Sequence, residues 1–417
     1  MSTEALFTAA LGLQSPWKVA DIQFDEAAKR IDFDVIYASG SRFDCPACGA
    51  GAQGVHDTRK RSWQHLHFFE HRAFIHADVP RVRCGQCRKT TQVKVPWARP
   101  GSGFSQLFEA LVVALSSHMP ANTVARFLGI GDDSVWRILH HYVDEARDQE
   151  DHSAVTAVGI DETAARRGHD YITLVHDLHA RKVLFACPGR DKSAIAAFVE
   201  DLRAHGGDPD RVTAACIDMS KAYIAGVTES LPQAAITFDR FHVAQLANKA
   251  VDAVRRQEVR WQPLLRRTRW LWLKDPVKLT PKEQRRFRSL SAQNMDTARA
   301  WKLKQTLADV LASGNDRATA SGLLDKWYSW ARRCRLQPFK DLALTIREHR
   351  DGILNARDSK LSNGVVEGMN GLIQAAKARA RGYRTHRNLI TMSYLIGARL
   401  KALPANPYDT RCGVAVP

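Results

Sequence analysis

A multidomain α/β protein is the expectation, and three stretches of the 417-residue sequence carry it. Residues 154–243 interleave short β-branched apolar runs with amphipathic helical patterns, the rhythm of a sheet covered by helices. Two close cysteine pairs, Cys45/Cys48 and Cys84/Cys87, mark a small module ahead of that region. Between the two lie a helix, a Gly129-Ile130-Gly131 turn and a second helix.

Composition limits what such a protein does. Hydrophobic residues make up 45% and charged residues 25%, ordinary values for a globular chain, but the net charge is +17. That excess of Lys and Arg favours a polyanionic partner, nucleic acid first. The N-terminal "MSTEALFTAALGLQSPW" has no basic segment leading into a long apolar one, and no window offers the roughly 20 apolar residues of a membrane span. The expectation is a cytoplasmic, nucleoid-associated protein with no membrane partner.

The first element is a β-rich module over 1–98. "DCPACGA" and "VRCGQCRKT" are both C-x2-C knuckles. Each knuckle aims two thiolates at one point, and two knuckles complete a tetrahedral set suited to structural Zn2+. Cys45, Cys48, Cys84 and Cys87 are the expected ligands. Four thiolates fill such a site, so His56, His65, His67, His71 and His76 read as surface or phosphate-contacting groups. Cys187, Cys216, Cys334 and Cys412 are scattered and read as structural. "RIDFDVIYASGSRFDC", "HRAFIHADVPRVRC" and "TTQVKVPW" read as strands around the metal.

A helical domain follows over 99–150. "SGFSQLFEALVVALSSHMP" opens on a serine cap and runs to Pro120. Val124, Phe127 and Leu128 precede the glycine turn. Asp132 or Asp133 is expected to cap the next helix, with Val135, Ile138, Leu139 and Tyr142 on one face. This is the helix-turn-helix pattern, whose second helix can enter a major groove. Ser134 and Arg137 are placed to reach base edges, and Trp136 to pack or stack.

Over 151–261, "AVTAVGI", "YITLVHDL" and "KVLFACP" read as a three-stranded meander, the first strand ending at Asp161. "DKSAIAAFVEDLRAHG" is a helix with Ile195, Phe198, Val199 and Leu202 inward. A fourth strand ends on Asp218 and a helix follows. "AAITFDRFHV" is read as a fifth strand ending near Asp239. Three strands, helix, strand, helix, strand is the order of a ribonuclease H-like fold. There the first and fourth strands are neighbours, and Asp161 and Asp218 meet. Clustered carboxylates repel unless a divalent cation neutralises them, and an all-oxygen set suits Mg2+ or Mn2+. Two such ions about 4 Å apart can activate an attacking oxygen and stabilise a leaving one.

Residues 262–355 form an α-helical insertion, and six of the ten tryptophans fall in the basic stretch 261–330 that overlaps it. Arg and Trp there suit either phosphate contact and stacking or an ordinary helical core. The core resumes over 356–402 with "KLSNGVVEGMNGLIQAAKARARGYR". Ser362 and Asn363 are expected caps, Glu367 lies in the first turn as the third carboxylate, and Asn370 and Gln374 share its face. Lys and Arg of 255–288, Arg266 among them, and Lys377, Arg379, Arg381 and Arg384 suit phosphates. Residues 403–417 read as a tail.

The blocks "GIDETAARRGHDYITLVHDL", "IDMSKAYIAGVTESLPQAAITFDRFHVAQLANKAVDAVRR" and "LSNGVVEGMNGLIQAAKARARGYR" resemble the catalytic blocks of DDE transposases of bacterial insertion sequences, most closely the ISL-three family. That family also carries an N-terminal zinc-binding module and a helix-turn-helix, so the resemblance spans nearly the whole chain. It implies metal-dependent DNA strand cleavage and strand transfer at terminal inverted repeats. By position, Asp161, Asp218 and Glu367 match the catalytic triad. "DRFH", with Asp239 and His242, resembles a D-x-x-H signature that supports the active site. The partners implied are double-stranded DNA at element ends and target, and further copies of the chain assembled on DNA. Two other readings fit the residues: a ribonuclease H-like nuclease without strand transfer, and a zinc/helix-turn-helix DNA-binding regulator.

Overall fold

The computed structural model describes residues 1–166, 168, 170–238, 240–312, 316–358 and 364–409. They form two compact units, residues 1–144 with 402–409, and residues 145–401.

The first unit opens with helix α1 (Thr3–Ala10) and strands β1 (Trp17–Asp25), β2 (Arg30–Tyr37), β3 (Val55–Phe68), β4 (His71–Arg83) and β5 (Thr90–Gln92). They make one sheet in the order β1-β2-β4-β3, with β5 also on β4. Only the β2–β4 pairing is parallel. Period-two alternation buries Trp17, Val35, Trp63, Ile75 and Val79 on one face with Trp97. Trp97 meets Trp17 and Trp63 edge-on, at 5.0 and 5.4 Å between ring centres.

Two histidines of this sheet are not the surface or phosphate-contacting groups expected. His76 is held by Asp32 Oδ1 at 2.5 Å and Ser62 Oγ at 2.7 Å. His65 lies 2.8 Å from Ser105 Oγ, and burial pushes its pKa down to about 4, so it is neutral.

Helices α2 (Gln106–Ser116), α3 (Ala121–Leu128) and α4 (Asp132–Asp148) follow. Ser105 Oγ caps α2 by accepting the Phe108 N–H at 3.2 Å. Gly129, at φ +66°, ends α3 in the left-handed conformation that a side chain would strain. Asp132 and Asp133 lie inside the first turn of α4 rather than capping it; their charges still suit the positive end of the helix. Val124, Leu128, Val135, Ile138 and Leu139 are buried, whereas Phe127 is 68% exposed. Glu109 is fully buried and accepts from Arg99 Nε at 2.8 Å, Ser102 Oγ at 2.7 Å and Tyr142 Oη at 2.9 Å. The paired charge ties α2 to α4.

In the second unit, strands β6 (Ala157–Ala164), β7 (Tyr171–Asp177), β8 (Lys182–Pro188), β9 (Ala214–Ile217) and β10 (Ala235–Phe238) form one sheet in the order β10-β9-β6-β7-β8. The meander β6-β7-β8 is antiparallel, and β9 and β10 add in parallel. Helices α5 (Lys192–Ala204) and α6 (Lys221–Ser230) supply the crossovers. Beyond β10 the chain is helical: α7 (Arg240–Glu258), α8 (Arg269–Leu273), α9 (Pro281–Ser291), α10 (Asp296–Ala312), α11 (Arg317–Arg333), α12 (Gln337–Glu348), α13 (Arg350–Asp358), α14 (Gly364–Arg379) and α15 (His386–Gly397).

One strand end differs from the sequence expectation and another matches it. β6 continues past Asp161 to Ala164, because β7 keeps pairing along it, while β9 pairs only as far as Gly159. Residues 160–164 of β6 therefore lack a β9 neighbour. β10 stops at Phe238, close to the expected end near Asp239, and Arg240 opens α7. Asp239, Ser362, Asn363 and Cys412 lie outside the described residues.

Alternation along β6 sorts its two faces. Val158 and Ile160 join Ile195 and Phe198 of α5 and Tyr223 of α6 in the main core. Ala157 packs with Leu178, Cys216 and Val366 of α14 on the other face. Gly159 makes the second contact possible, since a Cβ there would stand 2.4 Å from Val366 Cγ2. The tryptophans of the insertion divide: Trp272 and Trp327 are fully buried, while Trp261 and Trp270 are exposed. Cys216 is buried, and Cys187 and Cys334 are half-buried. Among the described residues no helix is long and apolar enough to cross a membrane.

Candidate active site and DNA-binding modules

Asp161 and Glu162 are adjacent acids with different surroundings, because neighbouring strand residues point to opposite faces. Glu162 accepts from Arg190 Nη1 at 3.2 Å. Asp161 faces α14: its Oδ2 accepts from Asn370 Nδ2 at 2.7 Å, and its Oδ1 accepts the Glu162 N–H at 2.8 Å. Burial pushes the Asp161 carboxyl above its usual range, and the charge of Asp218 adds to that push. The Glu162 N–H, His242 and Asn370 oppose it. Asp218, just past β9, is half-buried, and its Oδ1 accepts the Ser220 N–H at 2.9 Å. Tyr223 is fully buried, bonded to Thr173 Oγ1 at 2.9 Å; burial raises its phenol, and the charges of Glu162, Asp218 and Asp161 add to the rise.

Helix α14 runs along the stretch of β6 that β9 leaves open. Asn370 bonds Asp161, Gln374 Nε2 donates to Thr163 Oγ1, and Lys377 Nζ donates to the Ala164 carbonyl. Spacings of four and three residues keep these contacts on one face. Val366 lies a turn earlier, over Gly159. Glu367 is exposed in the first turn of α14, three residues before Asn370 and so on its side of the helix. His242, expected as a supporting residue, is half-buried on α7 and near enough to Asp161 for its charge to lower that carboxyl. Among the described residues, the three acids do not form a group with ligand atoms within 4.8 Å of one another. The donors are oxygens, and a buried carboxylate beside a second one is a site that a hard divalent cation neutralises.

The other expected DNA contacts stand as follows. Arg137 is exposed and Ser134 half-buried; Arg137 Nη2 donates to Ser134 Oγ at 3.2 Å. Trp136 is half-buried and stacks on His140, 5.8 Å between ring centres. Arg266, Arg379, Arg381 and Arg384 are exposed. Lys377, expected at a phosphate, donates one N–H to the Ala164 carbonyl of β6. Arg166 donates to the Arg384 carbonyl. Arg166, Lys377, Arg381 and Arg384 line a surface cavity of about 570 Å³ beside the C-terminal end of α14.

In the first unit, the two knuckles are backbone twins. Cys45 N–H bonds the Ala50 carbonyl at 2.8 Å and Cys84 N–H the Lys89 carbonyl at 3.0 Å. The Gly49 and Arg88 N–H groups return to the Cys45 and Cys84 carbonyls at 2.9 and 3.0 Å. Both residues are left-handed, Gly49 at φ +75° and Arg88 at +56°. Sulfur pairs Cys45/Cys87 and Cys48/Cys84 stand 3.8 and 3.6 Å apart. A tetrahedral ion with bonds of about 2.3 Å requires edges of about 3.8 Å, so the four thiols fit zinc.

A second group with ligand atoms within 4.8 Å is His152, Asp201 and His205. Its geometry does not suit a metal. The two rings stack at 28° with centres 4.7 Å apart, so their in-plane lone pairs run side by side instead of converging. Arg147 Nη2 bonds Asp201 Oδ2 at 2.5 Å. The His205 Nδ1–H donates to the Asp201 carbonyl, 2.7 Å away.

Comparison with known proteins agrees with this division. A family model described as the transposase domain of the ISL3 group matches residues 158–393. The helix-turn-helix domain of transposase family ISL3 matches 93–143, and the zinc-finger of transposases IS204/IS1001/IS1096/IS1165 matches 41–87. The transposase for insertion sequence element IS1557 of Mycobacterium tuberculosis is 28% identical over 429 aligned positions, covering 95% of this chain and 96% of that protein. The transposase for IS1001 of Bordetella parapertussis is 29% identical over 351 positions, covering 82% and 85%. His176, Tyr223 and Gly159 escaped the sequence reading, although a lone histidine in the apolar run "YITLVHDL" was a usable signal for the first. With the transposase model matching more than half of its length, the chain belongs to the ISL3 family of insertion-sequence transposases and is a DNA transposase.

Proposed function

We propose that Asp161, Asp218 and Glu367 are the catalytic carboxylates and that they hold two divalent ions, Mg2+ or Mn2+, on a ribonuclease H-like core. The single observation that carries the reading is the burial of Asp161 beside Asp218, on a strand whose exposed edge is closed by the helix bearing Glu367. The sheet order β10-β9-β6-β7-β8 supports the core assignment. Bound ions would activate the attacking oxygen and stabilise the leaving one. The protein's own part is to fix the carboxylates: the Glu162 and Ser220 N–H groups and Asn370 each hold one acid oxygen in place. His242, on α7, and Asp239 support the site.

In the same reading, residues 1–98 are the zinc module with Cys45, Cys48, Cys84 and Cys87 as ligands, and residues 99–150 read the element's terminal repeats. Residues 151–261 and 356–402 form the core around a helical insertion at 262–355, and residues 403–417 are a tail. Ser134 and Arg137 contact bases, while Arg266, Arg379, Arg381 and Arg384 contact phosphates. Several copies assemble on paired ends, and the protein works in the cytoplasm on the nucleoid. The test is nicking of end-containing duplex with the full chain. Asp161→Asn, Asp218→Asn and Glu367→Gln should each abolish Mn2+-dependent nicking and leave end binding nearly intact, since the recognition residues are untouched. A variant that nicks at near-normal rate removes its residue from the active site.

A further inference from the structure

His176 on β7 is fully buried, and among the described residues neither ring nitrogen has a partner at normal hydrogen-bond geometry; the one polar group that bears on the ring is the Asn370 amide. Asn370 Oδ1 on α14 is likewise buried without such a partner. Orphaned buried polar atoms are costly and call for an explanation. The two orphans are neighbours: the His176 ring lies against the Asn370 amide. His176 pairs in register with Gly159, two residues before Asp161 on the same face of β6. The other end of the Asn370 amide donates to Asp161 Oδ2 at 2.7 Å.

We propose that His176 and Asn370 are positioning residues for Asp161, acting as a chain in which the His176 N–H sets the Asn370 amide and the amide sets the rotation of the carboxylate. This rests on the reading of Asp161 as a metal-holding carboxylate. The chemistry of the amide makes the chain directional. Its oxygen accepts only and its nitrogen donates only, so a donor at His176 leaves the NH2 group for Asp161. Burial keeps His176 neutral, with a pKa near 4, so the ring carries one N–H for this purpose. Each Asp161 oxygen then accepts one N–H, from Glu162 or from Asn370, and retains a second lone pair for a cation. Partners of this kind commonly change metal affinity or activity by about 10–100-fold when removed. Gln374 and Lys377 hold α14 on β6 independently, so Asn370 is not needed merely to dock the helix.

The experiment uses the full-length protein. Mn2+ binding is titrated by the loss of the free-ion electron paramagnetic resonance signal, alongside thermal melts and the Mn2+ dependence of nicking. Asn370→Ala should weaken Mn2+ binding about ten-fold or more and raise the Mn2+ needed for half-maximal nicking by the same factor, with little change in melting temperature. His176→Leu should shift both readouts in the same direction, and His176→Gln, which keeps a donor, should restore most of the loss. The double variant His176→Leu/Asn370→Ala should be no worse than Asn370→Ala alone, because the residues act in series. Unchanged Mn2+ affinity in Asn370→Ala, or additive losses in the double variant, overturns the proposal. Asp161→Asn keeps the two levels apart. If it still nicks, the catalytic reading fails; if it is inactive while Asn370→Ala binds Mn2+ normally, only the positioning chain fails.

Discussion

In the first unit, sulfurs of the two knuckles already stand 3.6 and 3.8 Å apart, at the spacing of a filled tetrahedron. In the second, the carboxylates come from β6, the end of β9 and the first turn of α14, and the charge of Asp218 bears on Asp161. The thiol site is made by two local turns with the same hydrogen bonds, and the sheet merely brings the turns together. The proposed carboxylate site rests on tertiary packing alone: a strand left open by its short neighbour, and a helix fastened along the opening. A structural metal belongs in a closed site with its ligands converged. A site that must admit DNA and release it has reason to stay open until substrate and ions arrive.

The largest test of this contrast is to break the closed site. Cys45→Ser should release zinc and unfold the β1–β5 sheet, because structural zinc binding carries about 10 kcal/mol or more of folding free energy. Hydrogen exchange should then rise across residues 17–92, while residues 157–188 stay protected. Metal content should fall from about one zinc per chain to none. Protection lost equally in both regions would mean that the second unit does not fold without the first.

That asymmetry also governs what the sequence made legible. C-x2-C spacing is local, so Cys45, Cys48, Cys84 and Cys87 could be read before any fold was known. Asp161 and Asp218 were legible as acids following apolar runs, but the position of Asp161 inside β6 was not, because the end of a strand is set by its partner's length. The end of the fifth strand near Asp239 was legible, whereas the long helix that Arg240 opens was not. His76 and His65 read as surface groups because their partners, Asp32 and Ser105, are 44 and 40 residues away. The tryptophans of 261–330 could not be sorted at all. Trp270 and Trp272 are two residues apart, one 60% exposed and the other fully buried, and only the curvature of a short helix separates them.

Acid should strain the second unit through more than one buried ring. Burial lowers His152 and His176 from 6.5 to about 4, as it does His65 in the first unit. The folded protein keeps these rings neutral, while the unfolded chain protonates them below about pH 6.5. The unfolded state therefore binds more protons between pH 6.5 and 4. Stability contributed by neutrality is complete above pH 6.5 and lost as pH falls through that window, at roughly 1.4 kcal/mol per pH unit for each histidine. Denaturant melts at pH 7, 6 and 5 should show this slope, and His152→Leu should reduce it by one histidine's share. An identical slope in the variant would mean that His152 is already neutral in the unfolded chain, or protonated in the folded one.

A smaller effect should separate packing from chemistry in the open site. Gly159→Ala would place a methyl 2.4 Å from Val366 Cγ2 and 2.8 Å from Leu178 Cδ2. Overpacking of this kind costs about 1–3 kcal/mol. Because α14 carries Glu367 and Asn370, nicking should fall further than stability does. Gly159→Ala/Val366→Ala should recover part of both, as the second change removes the nearer clash and leaves Leu178 Cδ2 at 2.8 Å. Recovery of stability without nicking would show that Gly159 does more than make room for the helix.

The finest distinction is how the two units hold DNA, and it can be read from which DNA loses affinity. Arg137 stands exposed on α4, paired to Ser134, where an incoming base edge can displace a neutral partner at little cost. Arg137→Ala should weaken binding to the element's own ends by roughly 1–3 kcal/mol and hardly change binding to scrambled duplex. Arg381 sits after α14 at φ +57°, and Arg266 lies exposed ahead of α8; both are placed for phosphates, which carry no sequence. Arg381→Ala or Arg266→Ala should weaken both DNAs alike and lower the slope of log K against log salt by about one. Salt titrations on cognate and scrambled DNA separate the two behaviours. If Arg137→Ala lowered both affinities equally, α4 would be a phosphate-docking helix, and the reading of sequence would have to move to the zinc module, whose knuckles are rigid enough to present side chains to a groove.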